Sequence, residues 1–349
     1  MHYPHLTGSV LVLLLSAGTA SAQELPKHVD VTIEYPGDTR PGLRAEVFAP
    51  GVVSNGEAHS RLAIAPDGRE MCWARFSERS GRRFSQLACI SRSGGRWTDP
   101  YTPAFADGGM SANPIFSPDG TRLYFSFRPE GEEAWSIRYA ERRESGWSAR
   151  KSDGFLLNPT SSFTRSGRVY LCDSMAGKPW NRGIYRARLT ADGYEDATAL
   201  PPVINSPYID YTPYVAPDES FLMLSSSRPS AEERMFIVIS FRKPDGTWAE
   251  PRRMHDALGY PGNARFPSIS PDGKYLFFCG DDRNFYWVDI AAVDKELILL
   301  SPPADSVFAV YSFLQQPSLF DGYILGSFGL AHRPTAEARL DRAVPVRNW

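Results

Sequence analysis

Cysteine is scarce in this chain: Cys72, Cys89, Cys172 and Cys279 are the only four among 349 residues. That is too few for a disulfide-dense scaffold, and their spacing matches no zinc site. Net charge is equally scant, with 38 basic residues against 40 acidic ones and a formal charge of −2. Binding to nucleic acid draws its affinity from releasing counterions around phosphates, so this balance excludes nucleic acid as a partner. Long apolar runs are missing as well. The run at residues 10–15 (Val-Leu-Val-Leu-Leu-Leu) falls well short of the about 20 residues that a membrane-spanning helix requires. No Gly-x-Ser-x-Gly elbow and no phosphate loop occur, which excludes a peptidase domain of the α/β-hydrolase type and a nucleotide-binding loop. Extended segments of helical periodicity are absent too, so a solenoid of helix pairs is excluded. No cofactor and no metal site is predicted. What the chain does have is 42% apolar composition, enough to bury a large core in one domain.

The apolar run at 10–15 is followed by small residues ending in Ala20-Ser21-Ala22, the pattern of a secretory signal cut after Ala22. Residues 23–39 then form a lead-in, and the mature protein is expected in the periplasm or outside the cell. An oxidising compartment permits Cys72 and Cys89 to pair, because a hairpin turning around residues 78–83 sets them opposite each other. Two half-buried thiols are the other reading of the same positions.

Self-similarity is the dominant signal. Ala65-Pro66-Asp67-Gly68, Ser117-Pro118-Asp119-Gly120, Ala216-Pro217-Asp218-Glu219 and Ser270-Pro271-Asp272-Gly273 recur along the chain, with a degenerate Arg165-Ser166-Gly167 between the second and third. Counted from Asp67, Asp119, Ser166, Asp218 and Asp272, the intervals are 52, 47, 52 and 54 residues. Proline presets φ, aspartate bonds the backbone ahead of it and glycine accepts positive φ, so each copy reverses a strand tightly. Short runs such as Pro114-Ile115-Phe116 precede the turns, and richer ones such as Leu123-Tyr124-Phe125 and Tyr275-Leu276-Phe277-Phe278 follow. A third run and then a second punctuation, as in Gly146-Trp147 and Gly246-Thr247-Trp248, complete each unit. Four strands in about fifty residues is the arithmetic of a propeller blade.

The prediction is therefore an all-β β-propeller of five four-stranded blades across residues 40–300. One outer strand is missing from the repeats. Gly42-Leu43-Arg44-Ala45-Glu46-Val47 resembles Gly246-Thr247-Trp248-Ala249-Glu250-Pro251 in its Ala-Glu step, and this N-terminal segment is expected to complete the last blade and close the ring. The tail, residues 301–349, holds two apolar runs at 307–314 and 323–330 but no Pro-Asp-Gly turn. It is a C-terminal extension or a degenerate sixth blade, in which case residues 296–300 supply the fifth outer strand.

Taken together, Glu46-Val47-Phe48-Ala49-Pro50-Gly51, the repeated Ser-Pro-Asp-Gly, Ser225-Ser226-Ser227-Arg228-Pro229, residues 239–246 (Ile-Ser-Phe-Arg-Lys-Pro-Asp-Gly) and Tyr286-Trp287-Val288-Asp289 resemble the TolB-type, WD40-like β-propeller proteins of bacteria. The resemblance covers roughly residues 40–292. It implies a periplasmic or secreted propeller, often a binding scaffold, and its shared residues are turn formers and core aromatics.

Function is expected where the repeat breaks. Loops entering the first strand of each blade, and loops joining the second and third, open on one face around the central mouth. The residues there are His59, Arg61, Asn113, Asn158, Asp210, Tyr211 and Arg265, and they form the predicted ligand-binding set. Arg79, Arg128, Asp173, Arg228, Asp281 and Arg283 follow on the second set of loops. Arginine suits carboxylate, sulfate or phosphate, so the expected ligand is an anionic saccharide or a peptide, held by a binding or protein-scaffolding module. Arg128-Pro129 and Arg228-Pro229 repeat, and read as loop braces. The alternative function is a hydrolase or lyase acting on extracellular or envelope saccharides. Trp97, Trp147, Tyr194 and Trp248 also repeat, which marks them as packing residues rather than sugar-stacking ones.

Overall fold

A computed structural model describes residues 32–37, 39–79, 81–152, 162–175, 178–190, 193–228, 235–254 and 258–291. Residues 1–22, where a signal is expected, residues 23–31 of the expected lead-in, Asn158 and the 301–349 tail lie outside the described residues. So does the 296–300 strand of the six-blade alternative.

Among the described residues, the strands form five antiparallel sheets of four strands each. Blade I holds β2 (Ala58–Ile64), β3 (Glu70–Arg79), β4 (Arg82–Ser93) and β5 (Arg96–Trp97). Blade II holds β6 (Gly109–Phe116), β7 (Arg122–Pro129), β8 (Ser136–Arg143) and β9 (Gly146–Trp147), with a short 3-10 turn at Ala104–Ala106 leading in. Blade III holds β10 (Ser162–Phe163), β11 (Arg168–Met175), β12 (Lys178–Thr190) and β13 (Gly193–Ala199). Blade IV holds β14 (Asp210–Val215), β15 (Phe221–Ser226), β16 (Phe236–Phe241) and β17 (Arg252–Arg253). Blade V holds β18 (Arg265–Ile269), β19 (Tyr275–Cys279) and β20 (Phe285–Asp289), and its outer strand is β1 (Glu46–Val47).

The last blade is thus closed from the N-terminal side. Glu46 stands opposite Trp287 and Val47 opposite Tyr286. The register differs by two residues from the Ala-Glu alignment. Glu46 sits where blade IV has Arg252, which faces Ile239, the counterpart of Trp287, and not where Glu250 lies. Closure is also hydrophobic. Phe48 is fully buried and meets Phe277 and Trp287 at ring-centroid distances of 5.0 Å each. Blade V abuts blade I directly, since Ala58 N donates to Arg283 O at 2.9 Å and Trp73 shares a core with Phe277.

All five corners between first and second strands have the same geometry. The backbone N–H of Gly68, Gly120, Gly167, Glu219 and Gly273 donates to Ala65, Ser117, Thr164, Ala216 and Ser270, at 2.8 to 3.2 Å. Asp67, Asp119 and Asp218 Oδ1 accept from the N–H two residues on, each at 3.0 Å. The glycines have φ between 68° and 78°, and Glu219 takes φ 61° without being glycine.

Serines stitch neighbouring blades. Leu87 N donates to Ser111 Oγ at 2.9 Å, Val215 N to Ser162 Oγ at 3.0 Å, and Phe266 N to Ser225 Oγ at 2.9 Å. The repeated aromatics pack as their repetition implies. Trp147 Nε1 donates to the buried Glu70 at 3.0 Å, and Arg142 and Arg242 stack over Trp147 and Trp248 at 4.5 and 4.9 Å. Cys72 and Cys89 face each other across β3 and β4 and form a disulfide, whereas Cys172 and Cys279 are buried thiols outside any disulfide.

Candidate functional site

Each first strand is the innermost of its sheet, and four of the five carry a bulge in the described residues. Between Ala112 and Ile115, Tyr211 and Tyr214, and Arg265 and Ser268, three steps on the inner strand oppose two on its partner, an excess of one residue. The bulged residue has positive φ: 52° at Asn113, 53° at Thr212 and 59° at Phe266. Pro114, Pro213 and Pro267 come next, and proline has no N–H to leave unpaired where the ladder opens. Blade I departs from this rule. From His59 to Ala63, four steps oppose two, so its bulge is one residue longer. Ser60 takes the positive φ of 73°, Leu62 stands in the proline position, and Arg61 is the extra residue.

That insertion puts Arg61 inside the hub. It is 8% exposed, and Nη2 donates to Pro213 O at 2.7 Å, from blade I to the non-adjacent blade IV. Burial lowers the pKa of its guanidinium to about 10, still well above neutrality, so the hub holds a cation. The Tyr214 hydroxyl beside it is raised by burial and remains neutral.

Arg61 forms the floor of a cavity of about 350 Å³ that opens where the Pro-Asp-Gly turns lie. All five blades contribute to its wall, among them through Ile64, Ile115, Phe163, Tyr214 and Ile269. Pro66, Pro118, Pro217 and Pro271 ring its rim, and Arg165, which is exposed, takes the equivalent corner of blade III. The rim hydroxyls are already engaged. Ser117 Oγ donates to Asp119, Ser220 Oγ to Asp218 at 2.6 Å and Thr164 Oγ1 to Arg168 O at 3.2 Å, while Ser270 Oγ accepts from Tyr275 N at 3.0 Å. The charged lining is therefore Arg61, Arg165 and Asp218, two cations and one carboxylate.

The other expected residues lie toward the opposite, strand-entry face. Asp210 is 1% exposed, and its carboxylate accepts from Ser226 Oγ at 2.6 Å, from Ser206 N at 2.9 Å and from Ser206 Oγ. Arg228 Nε lies 3.4 Å from Asp210 Oδ1, and Arg228 Nη2 donates to Val203 and Ile204 carbonyls at 3.0 and 2.6 Å, so this arginine braces a loop. Arg265 lies near the Tyr211 hydroxyl, whose pKa is raised chiefly by burial with the guanidinium acting against that, and the Tyr211 ring meets Phe266 edge-on at 5.9 Å. Opposite Arg265, burial pushes the Cys279 thiol up to about 12, which leaves it protonated and unsuited to nucleophilic chemistry. Asn113 Nδ2 donates to Ser126 Oγ at 3.4 Å, and His59 stands on β2 opposite Ala74. Of the predicted set, Tyr211 and Arg265 are brought together, Asp210 is engaged by its own loop, and Arg61 faces the cavity at the other end.

Arg165 was not in the predicted set, and the cavity's position was not foreseen. Both had a signal in the sequence: Arg165 replaces the turn proline, and Arg61-Leu62 interrupts the pattern of a residue followed by proline in the inner strand. Among the described residues one close grouping of metal-ligand types occurs, Glu70 with Cys72 and Cys89, and its two thiols are joined as the disulfide. No helix among the described residues is long and apolar enough to cross a membrane.

The class defined by this architecture is the five-bladed β-propeller. No family model matches the chain, and no curated protein does. Among solved structures it is similar to TolB from Acinetobacter baumannii, at 17% identity and a TM-score of 0.36 over 65% of this chain and 53% of that one. It is also similar to a gluconolactonase from Xanthomonas campestris, at 12% identity and a TM-score of 0.41 over 72% and 96% of the two chains. An oligogalacturonate lyase from Vibrio parahaemolyticus matches at 13% identity and a TM-score of 0.37, over 67% and 66%. The chain spans about half the length of the TolB structure.

Proposed function

We propose that this chain is an exported propeller that acts as a binding module, and that its hub cavity receives an anionic group on Arg61. The observation that carries this reading is a charged guanidinium, 8% exposed, at the floor of a cavity walled mostly by apolar side chains. A cation in such low-dielectric surroundings attracts an anion far more strongly than one in water, and its planar fork matches a carboxylate. The cavity lies within the range of about 300–1,000 Å³ usual for small-ligand sites. Arg165 at the rim adds a second positive charge on the approach.

Export is supported by the apolar run and Ala20-Ser21-Ala22 in the sequence, and by the Cys72–Cys89 disulfide, a bond typical of oxidising compartments. Binding is favoured over glycoside hydrolysis because that chemistry needs two facing carboxyl groups, and the cavity lining contributes Asp218 alone.

Thermal unfolding of the mature protein in millimolar carboxylates tests the reading. At least one carboxylate should raise the midpoint while its neutral amide does not, and Arg61→Met should lose the shift. A ligand at a hundredfold excess over its Kd adds about 2.7 kcal/mol, a readily measured change. Absence of any carboxylate-dependent shift, or an undiminished shift in Arg61→Met, refutes the site.

A further inference from the structure

Resting on that reading, we infer that the ligand is an extended peptide ending in a free carboxylate, inserted carboxylate-first from the turn face. The walls of the cavity are the inner strands, and each is paired on one side only, because it is the terminal strand of its sheet. Apart from the Val215 amide and carbonyl and Pro213 O, which Ser162 and Arg61 already engage, such an edge turns backbone N–H and C=O groups toward the hub, the complement of an extended peptide's own amides. A simple acyl chain has no amides to meet them.

The wall side chains argue against a polyhydroxylated ligand. Ile64, Ile115, Phe163 and Ile269 are apolar, and the rim hydroxyls of Ser117, Thr164 and Ser220 donate within their own turns. A saccharide would bury hydroxyls against carbon, whereas a peptide presents apolar side chains there and polar groups only along its backbone.

Orientation follows from where the charge sits. Arg61 stands at the inner end of the lining, and its reach to Pro213 O bars the hub at that level. The anionic end of the ligand must therefore enter first and stop at Arg61. From Arg61 to the turn at Pro66 is five residue steps. At about 3.3 Å per step that is at most about 16 Å, room for roughly four residues of extended peptide. The chain beyond them emerges past Arg165.

The test is calorimetric titration of the mature protein with a tetrapeptide of apolar residues as the free acid and as the C-terminal amide, alongside octanoate and galacturonate. The free acid should bind about tenfold or more tightly than the amide. Arg61→Met should abolish that preference, and Arg61→Lys, which keeps the charge and most of the volume, should retain part of it. The acid-against-amide comparison on the parent protein needs no variant, so a folding defect in Arg61→Met leaves the test intact. Equal binding of acid and amide overturns the proposal. Binding of octanoate or galacturonate through Arg61 without binding of either peptide overturns the peptide inference and leaves the anion site standing. No binding of any probe overturns both.

Discussion

Glu219 is the one corner residue that holds positive φ, at 61°, without being glycine, and replacing it separates two opposed effects. An L-residue in the left-handed region costs about 1–2 kcal/mol relative to the right-handed one. Against this, the Glu219 carboxylate accepts from the Tyr170 hydroxyl at 2.8 Å and from Arg168 Nη1 at 3.0 Å, tying blade IV to blade III. The Arg168 side chain is 45% exposed, so that ion pair is screened and is worth at most about 1 kcal/mol. Tyr170 is fully buried, and its bond to a carboxylate contributes about 1.5–3 kcal/mol. Glu219→Ala loses both contacts and keeps the strain, so a loss of about 2–4 kcal/mol is expected. Glu219→Gly loses the same contacts and relieves the strain, less the greater freedom of glycine in the unfolded chain, and should recover about 0.5–1 kcal/mol of that. Urea unfolding followed by tryptophan fluorescence reads the order directly, with Trp248 packed edge-on to Tyr170 at 6.2 Å as a local reporter. An alanine variant as stable as the glycine one, or as stable as the parent, would falsify this reasoning.

Two further outcomes are expected. Phe48→Ala removes a fully buried ring from the closing seam, and should cost about 3–5 kcal/mol and lower the melting midpoint by roughly 8–15 °C, while Tyr208→Ala, 42% exposed, leaves the midpoint within a degree or two; a small Phe48 effect would mean the N-terminal strand does not hold the ring shut. Glu70 has its pKa raised above 4.5 chiefly by burial, with Trp147 and Arg142 acting against that. The folded state therefore binds its proton more tightly than the unfolded state, and this contribution to stability is complete below the unfolded pKa and lost as pH rises through the folded one. Relative to the parent, Glu70→Gln should flatten the stability curve just above pH 4.5, and parallel curves for the two proteins would refute the assignment.

The blades were legible because their determinants are local. Pro-Asp-Gly makes its turn from φ preferences and one short hydrogen bond, so its recurrence at about fifty residues counted the blades and dated each hairpin. The closing strand was legible too, because an unfilled position in a repeat is itself information, though its register slipped by two residues. Backbone pairing with Trp287, and not the Ala-Glu step, sets that register.

Chemistry in the hub was only partly legible. The sequence picked out His59, Asp210 and Arg265 as residues that break the repeat, and it placed Arg61 with them on one face. A single inserted residue in the β2 bulge decides otherwise, because it lets the Arg61 side chain reach across the hub to Pro213 O. Arg61 was thereby turned into the cavity above the turns, and Tyr211 and Arg265 were left at the other end. The sequence by itself determined the spacing of the sheets and where each described one turns. Only the folded ring decided which polar groups share the hub, since that depends on five separate strands converging across some two hundred residues of chain.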